Sequence, residues 1–70
     1  MQTHYKIIQI LTSERQKKRM TQAQLAEKLG RPQSYIAKYE TGERGLGIVE
    51  FMEICKALKT RPSKIMVLVQ

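Results

Sequence analysis

Tryptophan is absent, and cysteine and histidine occur once each, as Cys55 and His4. One chain therefore assembles neither an internal disulfide nor a Cys/His zinc site. No stretch approaches the roughly 18 continuous apolar residues of a membrane span. The N-terminal run MQTHYKIIQI lacks the basic start and long apolar block of a secretory signal. A cytoplasmic, nucleoid-associated protein with no membrane partner is expected. There is no internal repeat, no low-complexity tract and no Ser/Gly-rich linker, so residues 1–70 read as a single domain. Catalytic signatures are also missing. No nucleophile and base pair, phosphate-binding glycine loop or metal constellation is present, and Glu14, Glu27, Glu43, Glu50 and Glu53 read as solvated surface. Neither an enzyme nor a cofactor or small-molecule ligand is expected. One Phe and three Tyr offer few stacking platforms, which counts against single-stranded nucleic acid or RNA as the target.

Positive charge is abundant. Thirteen Lys and Arg against six Asp and Glu give a formal charge of +7 and a sequence pI near 9.9. A polyanion is the natural partner, although charge alone is equally compatible with a merely soluble face, so placement has to decide. A chain of this size hides only about 60 % of the surface its unfolded form exposes, which makes every apolar face count.

Apolar spacing divides the chain into short helices. Ile7, Ile8 and Leu11 recur at helical intervals, and the following polar run holds no Gly or Pro, which places a first helix at about 3–18. Thr21 has the side chain of an N-cap for a second helix over 22–29, whose stripe of Leu25, Ala26 and Leu29 ends at Gly30. Gly30-Arg31-Pro32 is a turn signal, with Pro suited to open the next helix. That third helix sets Ile36 and Tyr39 on one side and Gln33, Ser34, Tyr35 and Lys38 mostly on the other, before Gly42 closes it. In a fourth helix, Ile48, Met52, Cys55 and Leu58 fall on one stripe, widened by Val49 and Phe51, which makes Cys55 a core thiol. Pro62 can open a last segment. Its run Ile65-Met66-Val67-Leu68-Val69 reads as a short helix, with a strand as the alternative because three of the five residues are β-branched. Either form leaves apolar surface to be covered.

Two charges fall on inward faces. Arg15 lies four residues after Leu11, and Glu40 four after Ile36. A buried unpaired charge costs several kcal/mol, whereas a bidentate Arg–Glu pair satisfies both groups. Arg15 is therefore expected to pair with Glu40; the alternative is that both stems reach out to water.

Two short helices joined by a glycine-containing turn, the second rich in outward donors, form the helix-turn-helix arrangement, here at about 21–41. Gln22, Leu25-Ala26, Gly30, Gln33, Ile36, Glu40 and Gly42, within a continuous run from Arg15 to Arg44, closely resemble the Cro and lambda-repressor-like family of xenobiotic-response-element type regulators. The resemblance implies an all-α, compact bundle of about five helices, with the second crossing the DNA backbone and the third in the major groove. It also implies the Arg15–Glu40 pair. By matching position, Gln33, Ser34 and Lys38 look like base readers, Lys38 also being suited to a phosphate. Tyr35 looks able to meet a thymine methyl or a phosphate. Gln22, Arg44, Thr41 and Arg31 look like phosphate ligands, with Gln22 also supporting Gln33. The chemistry agrees: a Gln amide pairs with adenine N6 and N7, and a Lys ammonium donates to guanine O6 and N7. The pattern departs from the family at Arg19, where the first helix usually ends in Gly, at Pro32, where a capping Ser or Thr is commoner, and at Arg31, Gly47 and Lys59.

The expected function is that of a sequence-specific regulator of double-stranded DNA, a repressor that binds a pseudo-palindromic operator as a homodimer. Residues 62–70, with Ile65, Met66, Leu68 and Val69, are the candidate dimer contact. The alternative is a protein-interaction module of antitoxin or adaptor type built on the same fold.

Overall fold

The computed structural model describes residues 2–70, with side chains from His4 onward, so Met1 of the expected 1–70 unit lies outside the described residues. Five helices follow one another: α1 (Gln2–Lys17), α2 (Gln22–Leu29), α3 (Gln33–Thr41), α4 (Ile48–Ala57) and α5 (Pro62–Leu68). There is no strand among the described residues. The run 65–69 is thereby settled as helix, with Val69 as its C-cap.

Helix starts follow local chemistry. Thr21 and Gln24 form a reciprocal capping box: the Gln24 N–H donates to Thr21 Oγ1 at 3.0 Å, and the Thr21 N–H to Gln24 Oε1 at 2.8 Å. At α4 the Glu50 carboxylate accepts the Gly47 N–H at 3.0 Å, satisfying a donor that has no intrahelical partner. Pro32 precedes α3 with no side-chain cap, and Pro62 opens α5 at a position where a missing N–H costs nothing.

Three helices end alike. In each a left-handed residue is followed by one whose N–H reaches back to a carbonyl of the last turn: Met20 to Arg15 at 3.1 Å, Arg31 to Ala26 at 3.0 Å and Thr60 to Cys55 at 2.9 Å. The left-handed residue is Gly30 after α2, but Arg19 (φ 54°) after α1 and Lys59 (φ 56°) after α4. A side chain in that conformation costs about 1–2 kcal/mol that glycine avoids.

Leu11, Leu25, Ile36, Tyr39, Ile54, Cys55, Leu58 and Ile65 are fully buried in one cluster with Ala26, Tyr35 and Phe51. Helix α2 packs on α3 and α4, and α1 packs on α3 and α5. Three expectations are corrected here. The buried stripe of α4 is Phe51-Ile54-Cys55-Leu58, at offsets of three, four and seven, while Ile48, Val49 and Met52 lie on its exposed flank. Ile65 is a core residue and is withdrawn from the exposed C-terminal surface, because α5 turns it inward against α1 and α4. Glu14 is not solvated: its side chain is 4 % exposed, and Lys64 of α5 and Lys17 approach its carboxylate at 3.4 and 3.7 Å. The Lys64 contact ties α5 to α1.

Candidate nucleic-acid interface

Helix α3 has two faces. Ile36 and Tyr39 point into the core, and Gln33, Ser34, Lys38 and Thr41 are exposed. Ser34, Lys38 and Thr41 follow one another at offsets of four and three, which makes a single polar ridge. Thr41 donates to the Lys38 carbonyl at 3.1 Å and lies 3.2 Å from a Glu43 carboxylate oxygen.

A chain of hydrogen bonds runs from the core to Gln33, exposed at the start of α3 beside this ridge. Arg15 Nε donates to Glu40 Oε2 at 2.8 Å and Nη2 to Oε1 at 3.1 Å, while Nη1 donates to the Met20 carbonyl at 2.7 Å. Both side chains are nearly buried, 11 % and 7 % exposed, so the bidentate geometry offsets their desolvation. Gln22 Nε2 donates to Glu40 Oε1 at 2.9 Å, and Gln33 Nε2 donates to Gln22 Oε1 at 3.4 Å. A carboxylate only accepts, so Gln22 must turn its NH₂ to Glu40 and its carbonyl oxygen to Gln33. Gln33 in turn directs an N–H inward, leaving Oε1 and the second N–H for a ligand. The expected support of Gln33 by Gln22 thus has a carboxylate behind it.

Tyr35 is placed differently from expectation. Rather than pointing outward it is buried, because α3 turns positions 35, 36 and 39 together into the protein. Its ring meets Tyr39 edge-to-face, with centroids 6.0 Å apart, and two guanidiniums lie over it, Arg31 at 4.6 Å and Arg44 at 4.8 Å from the centroid. Burial, and then the nearby Glu50 carboxylate, push the Tyr35 hydroxyl pKa up against the two arginines, so the phenol stays neutral. The Arg44 guanidinium is paired with Glu50. The Gly47 N–H, and then Arg44, hold the Glu50 carboxyl below its ordinary range despite some desolvation. Arg31 reaches Glu53 at 3.9 Å, a loose surface pair. The two cations are thus brought together on one ring beside α3, and Glu50 is the residue that the sequence reading missed. Its signal was a glutamate three residues after a helix cap.

Burial raises the Cys55 thiol pKa, so it stays an uncharged core group. Among the described residues no cluster of metal-binding side chains forms, and no helix is long and apolar enough to cross a membrane.

The family model described as Helix-turn-helix matches residues 11–65. The chain belongs to the XRE-type helix-turn-helix family. A solved structure described as an XRE-family like protein from Pseudomonas syringae pv. tomato str. DC3000 is 34% identical, with a TM-score of 0.91. The alignment covers 96% of this chain and 82% of that one. No curated protein matches the chain. The XRE-type family is one of DNA-binding regulators and not a family of enzymes.

Proposed function

We propose that this XRE-type domain reads double-stranded DNA by sequence and acts as a repressor, bound as a homodimer to a pseudo-palindromic operator in the nucleoid. The observation that carries the reading is the oriented amide of Gln33, held through Gln22 and Glu40 at the exposed start of α3, beside the ridge. An adenine edge offers the complementary donor and acceptor to a Gln so held, and Lys38 suits guanine O6 and N7. Ser34 completes the reading face, and Tyr35 acts beneath it by supporting two cations. Arg31 and Arg44, with Gln22 and Thr41, are assigned to phosphates, which set register without reading sequence.

Selection of bound sequences from a random duplex pool at two salt concentrations tests this. A symmetric motif should emerge, and Lys38→Ala should relax preference at one position by about 1–3 kcal/mol without altering the salt slope. Enrichment of no motif would remove sequence-specific reading. The exposed Ile48, Val49 and Met52 favour a second reading, a protein-interaction module, in which a partner covers that flank. Selection separates the two, because an adaptor shows neither a motif nor a dependence on Lys38.

A further inference from the structure

Arg31, Lys38 and Arg44 account for only part of the positive charge, and another part gathers at the end of α1. Lys18, Arg19, Met20, Gln24, Glu27 and Lys28 line an open hollow of about 500 Å³. Lys18 Nζ donates to the Lys59 carbonyl at 3.3 Å and so joins the turn after α1 to the turn after α4. Three cations, Lys18, Arg19 and Lys28, therefore line a hollow that holds one carboxylate, Glu27, and Lys59 stands in the turn joined to it. Among the described residues none of the four takes part in an ion pair.

Backbone conformation adds an independent observation. Arg19 and Lys59 are the two non-glycine residues with positive φ among those described, and each occupies the left-handed position at which α2 has Gly30. Glycine would relax both turns, yet both carry a cation; strain kept where it is easily removed points to a role for the side chain. The hollow also sits close to α3. Two of its lining residues, Gln24 and Glu27, also line a second hollow that reaches Gln33 of α3. Arg31 lines that second hollow as well, so the cations at the end of α1 and the one beside α3 border adjoining hollows.

We propose that Lys18, Arg19, Lys28 and Lys59 form a second phosphodiester-binding surface, which takes the backbone of the same duplex beyond the base pairs read by α3. The inference rests on the DNA-binding reading above. It extends the footprint along the strand and adds affinity without adding sequence information.

The test compares Arg19→Gly, Lys59→Gly and their double variant with the wild type, on the best duplex from the selection and on the same duplex trimmed to the enriched motif. Glycine suits both turns, so melting temperatures should hold or rise. Affinity for the longer duplex should fall roughly five-fold per cation at physiological salt, and the log-log salt slope should flatten by about one per cation. Arg19→Lys should retain wild-type affinity and slope, and the trimmed duplex should bind wild type and double variant equally. A double variant that matches the wild type in affinity and slope on the longer duplex overturns this inference alone. A wild type that shows no salt-dependent binding to any duplex overturns the functional reading with it.

Discussion

The Tyr39 hydroxyl is buried without a hydrogen-bond partner. Burial, and then the neighbouring Glu40 carboxylate, raise its pKa far above the ordinary phenol value, so it stays protonated throughout the working range. An unsatisfied buried hydroxyl costs about 1–3 kcal/mol, and Phe keeps the ring that packs against Tyr35. Tyr39→Phe should therefore raise stability by about 1 kcal/mol, or roughly 4–8 °C in melting temperature by calorimetry. A fall of similar size would mean that the hydroxyl has a partner. At this scale the Arg15–Glu40 contact was legible, because each charge sat at a helical offset from a core residue and each needed the other. Glu14 and Tyr35 were not. Glu14 also lies three residues after Leu11, but it was grouped with the polar run that follows, and Lys64, which approaches it, lies 50 residues away. Tyr35 shares its face with Ile36 and Tyr39, but in a nine-residue helix the width of the inward face is set by what packs on it, which the spacing does not show.

At the scale of elements, periodicity and turn residues located the first four helices, Pro62 marked the start of the fifth while a strand stayed open for its apolar run, and the rotation of the short helices escaped both. Ten residues of α4 contain enough apolar side chains to support two stripes. The choice of Phe51-Ile54-Cys55-Leu58 depended on α2 and α5 covering that side. Seven residues in α5 are too few for a period to emerge, and burial of Ile65 required α1 to be in place. The start of α4 carries a pH dependence. The folded Glu50 pKa lies below its ordinary value of 4.5, so ionised Glu50 stabilises the fold above that value. The contribution is lost as pH falls through the lower folded value. Thermal denaturation of wild type and Glu50→Gln should thus differ at neutral pH and converge as the solution is acidified below the ordinary carboxylate range. A difference that widens on acidification would contradict the assigned direction.

For the whole molecule, charge and apolar surface act in opposition. Each copy carries +7, which repels a second copy, while Val67, Leu68 and Met66 on α5 and Ile48, Val49 and Met52 on α4 remain exposed. Ile48 and Met66 line one hollow, so the α5 surface continues onto α4. Burial of this face in a two-fold dimer follows area, and the repulsion follows ionic strength. The two halves of the proposed function should therefore respond to salt with opposite sign. Between about 0.05 and 0.5 M salt the Debye length shrinks several-fold, so self-association measured by sedimentation should tighten while DNA affinity weakens. Leu68→Glu, which leaves Ile65 in the core, should give a monomer at both salt concentrations. It should lose the advantage of a full palindrome over a half-site, yet keep wild-type affinity for the half-site. A Leu68→Glu chain that still dimerises would move the contact away from α5, and a wild-type dimer that weakens with salt would show ionic rather than apolar association.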